Sequence, residues 1–62
     1  MTRKDYVMIA AIIKDANYTA KKFKDTAGAV MLYHVASELS DELAKDNPRF
    51  DRDRFLIACE VI

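Results

Sequence analysis

DNPRFDRDRF, running from Asp46 to Phe55, is the stretch whose reading decides the fold. Pro48 has no amide hydrogen and disfavours the right-handed helical region for Asn47, so a helix arriving from upstream ends near Asp46 or Asn47. Asn47 tolerates the left-handed conformation that closes many helices. A further helix is announced at once. Asp51 is a good N-cap, able to accept from the amides of Asp53 or Arg54, and Phe50 and Phe55 stand at the N′ and N4 positions of a hydrophobic staple. Arg54 occupies the place where a capping box has Glu or Gln, so half of that signature is present. Asn47, Pro48, Phe50, Asp51 and Phe55 together predict a tight structural corner. The competing reading makes Arg49, Arg52 and Arg54 an anion site beside a helix N-terminus. Asp51 and Asp53 lie among them and neutralise most of that charge, so the corner is preferred.

Upstream of the corner, Asp25 and Thr26 are both good caps for a helix that continues to about Asp46. Ala29, Leu32, Ala36, Leu39 and Leu43 recur at spacings of three and four, a heptad-like seam. Val30, Met31, Tyr33 and Val35 widen the apolar face of its first half. Its second half carries Glu38, Asp41, Glu42 and Asp46 against Lys45, and acids near a helix C-terminus oppose the helix dipole. A contact from Arg52 or Arg54 back to Glu42 or Asp46 would relieve that opposition. Downstream, a last helix is predicted from Arg52 to about Val61, with Phe55, Leu56, Ala58, Cys59 and Ile62 towards the core.

The opening stretch predicts a first helix from Arg3 to about Ala16. Thr2 is its cap and Asp5 stands three residues on, with Met1 and Tyr6 as a staple. Its interior, YVMIAAII, is apolar on every side, the pattern of a helix buried all round. Nothing else in the chain offers a partner strand, so helix is favoured over strand. Between Asn17 and Asp25 the pattern lapses into a polar connection, with Tyr18 and Phe23 as anchors onto the core and Thr19 as an alternative cap for the second helix. The expected architecture is therefore all-α, a single domain with three helices, short, long and short.

Sixty-two residues allow one small domain. A chain of this length buries only about 60% of the surface its unfolded form exposes, and oligomerisation is a common remedy. Half the residues are hydrophobic with one glycine and one proline, which fits neither disorder nor a strand-and-turn protein. Ten basic and ten acidic residues cancel, whereas a phosphate-binding protein would show a basic excess. One cysteine permits no internal disulfide, in keeping with a reducing cytoplasm. The apolar run Tyr6–Ile13 is too short to span a bilayer, and Lys14 and Asp15 follow it where a signal peptide would have small residues. A cytoplasmic protein without membrane attachment is expected.

Catalytic chemistry finds no constellation. There is no nucleophile–base arrangement and no glycine-rich phosphate loop, Gly28 being the sole glycine. His34, the sole histidine, stands one turn from Glu38 and reads as an exposed ion pair rather than a metal ligand. Cys59 reads as a buried inert thiol. No catalytic, metal or cofactor residue is assigned, and the chain is read as a non-enzyme.

Two binding readings remain. The all-round apolarity of the first helix and the surplus on the last exceed what so few residues can cover. That surplus assigns Met8, Ile12, Ile57 and Val61 to a protein interface, either in a homo-oligomer, even a purely structural one, or with a host protein. The runner-up is a nucleic-acid-binding regulator using Lys21, Lys22, Lys24 and Arg49. A helix-turn-helix is disfavoured, because beyond Arg54 the last helix offers only Glu60 as a charged side chain.

The opening TRKDYVMIA and the closing DNPRFDRDRFLIAC resemble a group of short open reading frames of bacteriophages and bacterial genomes. Those pair a Thr-Arg-Lys start with an Asn-Pro-Arg-Phe-Asp-Arg corner. The resemblance covers the two ends of the chain and not its middle. It implies a small phage or plasmid accessory protein that binds a host protein, and it brings no catalytic residue with it.

Overall fold

Two long helices lie side by side, joined by three residues. The computed structural model describes every residue from Met1 to Ile62 and contains α1 (Arg3–Lys22), α2 (Thr26–Asp46) and α3 (Arg52–Ala58), with no strand. Phe23–Asp25 turn α1 into α2 as an antiparallel hairpin. The corner then folds α3 back against both helices. The result is an elongated body of 36 × 18 × 14 Å.

α1 starts as its cap predicts: the Thr2 amide and hydroxyl both donate to Asp5 Oδ2, at 2.9 and 3.2 Å. It does not stop near Ala16. It runs through the segment expected to be a connection and closes after Lys22, where the Lys24 amide donates to Lys21 O (3.1 Å) and the Asp25 amide to Ala20 O (2.8 Å). This pair of bonds is a Schellman closure. Lys24 stands at its left-handed position, with φ of 56°, where glycine is usual. α3 ends the same way: Glu60 donates to Ile57 O and Val61 to Leu56 O, with Glu60 at φ of 57°. The last helix therefore stops at Ala58, short of the predicted Val61. The reversal folds Val61 down onto the core.

α2 is capped by Asp25, whose Oδ1 accepts from the Gly28 amide at 2.8 Å. A Cβ on Gly28 would stand 2.5 Å from the other carboxylate oxygen, so the sole glycine serves this cap. At the far end Asn47 is extended (φ −137°, ψ 104°) rather than left-handed, as the following proline dictates. Its carbonyl accepts from Phe50 and its side chain from Arg49, closing a turn around Pro48. Asp51 caps α3 by accepting from Arg54 at 3.1 Å. The Phe50 and Phe55 rings pack at 5.4 Å, and Tyr6 of α1 meets Phe50 edge-on at 4.9 Å. The corner thereby docks onto the start of α1.

The core is small: Ala10, Ile13, Ala36, Leu43, Phe55, Leu56 and Cys59. Every fully buried residue of α2 lies at Ala36 or beyond, because α3 is too short to cover the half nearer the hairpin tip. Two polar residues are buried with their hydrogen bonds satisfied. Ser40 donates to Ser37 O, and Asn17 Nδ2 donates to Glu60 O, each at 2.8 Å. The Asn17 bond, with the exposed Lys14–Glu60 pair at 3.1 Å, ties the reversal after α3 to the middle of α1. Arg52 does reach back to α2, but to Asp41 at 2.8 Å rather than to Glu42 or Asp46.

Candidate functional surface

Two sets of residues recur along α1 at the helical period. Tyr6, Ile9, Ala10, Ile13, Asn17 and Ala20 face the rest of the molecule, buried or half-buried. Met8, Ile12, Ala16, Thr19 and Phe23 recur every three or four residues along another flank and are exposed. Met8 is 56% exposed, Ile12 62% and Phe23 73%. On α2 the exposed residues Met31, Val35, Glu38 and Glu42 form a matching stripe with the same spacing. The two stripes belong to one surface. Ala16, Thr19 and Ala20 of α1, with Phe23 of the turn, line a single groove with Gly28, Met31, Leu32 and Val35 of α2.

This surface is the side of the hairpin that α3 does not touch. α3 lies against the opposite flank, where Ala58 and Phe55 share a cleft with Tyr6, Val7 and Ala10. One face of the hairpin is thus covered by α3 and the other by nothing. Tyr18 and Phe23, expected as anchors onto the core, are instead 67% and 73% exposed. Tyr18 lies in the half of the hairpin beyond the reach of α3, and Phe23 lies on the flank that α3 does not touch.

The residues assigned to an interface from sequence divide accordingly. Met8 and Ile12 lie on the uncovered flank. Ile57 is 60% exposed but points away from the hairpin on the outer side of α3, since Phe55, Leu56 and Cys59 take the inner side. Val61 is half-buried against the core and completes the closure of α3. Ala58 and Ile62, expected to face the core, are exposed. Phe23, Met31 and Val35 join Met8 and Ile12, a grouping that spacing within one helix could not show.

The basic residues are likewise split. Lys21, Lys22 and Lys24 are exposed around the hairpin tip. Arg49 is at the other end of α2, lining the cleft between α1 and the corner with Arg3 and Arg54. A 21-residue helix separates the two places by about 30 Å. Glu38, Asp41 and Glu42, with Lys45, surround a shallow acidic depression on the outer half of α2. The tip is therefore lysine-rich, while the other end of the hairpin carries acidic residues on α2 and arginines at the corner.

No set of three or more His, Cys, Asp or Glu side chains comes together as a metal site would require. His34 is exposed and makes no ion pair with Glu38. Cys59 is fully buried, and that burial pushes its thiol pKa up, away from the nucleophilic thiolate. No helix is long and apolar enough to cross a membrane.

What the fold and surface define is an all-α three-helix domain with an uncovered apolar stripe on the flank of the hairpin away from α3. Compared with the profiles of protein families, with curated proteins and with solved structures, the chain finds no match.

Proposed function

We propose that the protein works by binding another polypeptide through the apolar face that its own helices leave uncovered. The observation that carries this reading is the run of Met8, Ile12, Phe23, Met31 and Val35, each more than half exposed, along one side of the α1–α2 hairpin. Scattered apolar residues are ordinary on a protein surface, but a contiguous two-helix stripe marks an interaction site. The likeness to phage reading frames makes a small accessory protein acting on a host protein in the cytoplasm a fitting role. Nothing in the reading calls on catalysis. The test is retention of a polypeptide partner, self or other, by the tagged chain and by Met31→Lys. Binding by the first and its loss in the second supports the proposal. Retention by both alike, or by neither at micromolar concentration, overturns it.

A second reading is favoured by one observation: the three tip lysines have no carboxylate partner. Phosphate contacts there would give nucleic-acid binding that weakens steeply as salt rises. Mobility shifts with duplex and single strand at two salt concentrations decide it. Retention that is absent at low salt removes this reading.

A further inference from the structure

We infer that the uncovered face is occupied by a second copy of this chain, running antiparallel to the first; this rests on the protein-binding reading above and names its partner. Three features of the molecule converge on that occupant.

The first is area. The chain exposes 4710 Å², whereas a compact monomer of 7.1 kDa is expected to expose about 4,100 Å². The excess of about 600 Å² approaches the ~800 Å² that each partner contributes to a stable interface. Met8, Ile12, Phe23, Met31 and Val35 supply part of it, each more than half exposed.

The second is self-complementarity. A two-fold pair presents the same patch twice, so the patch must fit itself reversed. On α1, Met8 and Phe23 lie equally far on either side of the point between Asp15 and Ala16, and so do Ile12 and Thr19. A dyad at that point sets Met8 of one copy against Phe23 of the other and Ile12 against Thr19. Ala16 lies half a residue from the dyad, so the two copies of this small side chain sit within one residue's rise of each other and let the helices approach closely. The product is a four-helix bundle made of two hairpins.

The third is charge. The stripe on α2 is apolar at Met31 and Val35 and acidic at Glu38 and Glu42, while Lys22 and Lys24 sit at the tip. Antiparallel pairing brings the lysine tip of one copy to the acidic half of α2 of the other, twice by symmetry. Parallel pairing would place lysines against lysines and acids against acids, which repel. The tip lysines of each copy are thus complementary to Glu38 and Glu42 on α2 of the other.

The test uses the full chain at tens of micromolar. Sedimentation of the wild type is expected to give twice the monomer mass. Lys24→Glu and Glu42→Lys alter exposed side chains and should leave the circular dichroism unchanged. Each alone is expected to dissociate at least fivefold more readily, and an equimolar mixture of the two to recover the wild-type dimer. Ala16→Cys is expected to form a covalent dimer under mild oxidation, whereas Ala11→Cys, exposed on the other flank, is not. Charge variants that dimerise as well as the wild type, or equal cross-linking at Ala11 and Ala16, overturn the antiparallel pairing. A monomeric wild type overturns self-association altogether. In that case retention of a different polypeptide, lost in Met31→Lys, would still uphold the broader reading, so the two fail separately.

Discussion

Lys24 and Glu60 both hold a left-handed backbone that an L-residue with a Cβ adopts at a cost of about 1–2 kcal/mol, of which glycine avoids most. Glycine gives back part of the gain through its freer unfolded chain, so Lys24→Gly should stabilise the monomer by about 0.5–1 kcal/mol. For a domain this small that is a rise of a few degrees in Tm, readable by thermal melts. Glu60→Gly should gain less, because it also loses the exposed pair with Lys14, worth up to about 1 kcal/mol. Its carbonyl bond to Asn17 survives the change. Cys59 supplies a second prediction at this scale. Burial holds its thiol above the ordinary value of 9.0, so the folded state keeps a proton that the unfolded state releases. Its contribution is whole below that value and is lost as pH rises through it towards the folded-state value. The stability of the wild type, measured by denaturation, should therefore fall with alkali more than that of Cys59→Ala. A thiol reagent should modify the native protein only as fast as it opens.

Among the elements, α1 depends on the bond between Asp5 and the start of the chain. The Thr2 amide, donating to the Asp5 carboxylate, holds that carboxyl below its ordinary value of 3.8. The stabilisation is therefore present above 3.8 and lost as pH falls through the lower, folded-state value. Helicity of wild type and Asp5→Asn should differ at neutral pH and converge in strong acid, measured by circular dichroism. The ends of the elements show how far the sequence could be read. The corner was legible because Pro48, Asp51, Phe50 and Phe55 each act on their immediate neighbours. The end of α1 was not, because its closing residue is Lys24 instead of glycine and its buried face continues through polar Asn17. The end of α3 was hidden for a related reason. The apolar pattern runs on to Ile62, but Val61 packs by reversing over Leu56 and not by extending the helix. Surplus apolar surface was legible from composition and pattern. Which residues share a face depended on where α3 lands, and that follows from the geometry of the corner. So the sequence reads Phe23 as a core anchor and assigns Ile57 to an interface together with Ile12, from which the fold separates it.

For the molecule as a whole, self-pairing links stability to concentration. Tm should climb by roughly 3–5 °C for each tenfold rise in wild-type concentration, and stay level for Met31→Lys. Scans across a dilution series check it; a flat wild-type series contradicts the pairing. The brevity of α3 has one more outcome. Seven residues brace only the end of the hairpin next to Pro48, and no residue from Lys21 to Val35 is fully buried. Amide protons should accordingly exchange with deuterium in a gradient, fastest around Phe23–Met31 and slowest around Ile13, Leu43 and Cys59, as if the body unzipped from one extremity. Docking of a second hairpin would flatten that gradient, so the profile at high dilution and at high concentration would differ most at the tip.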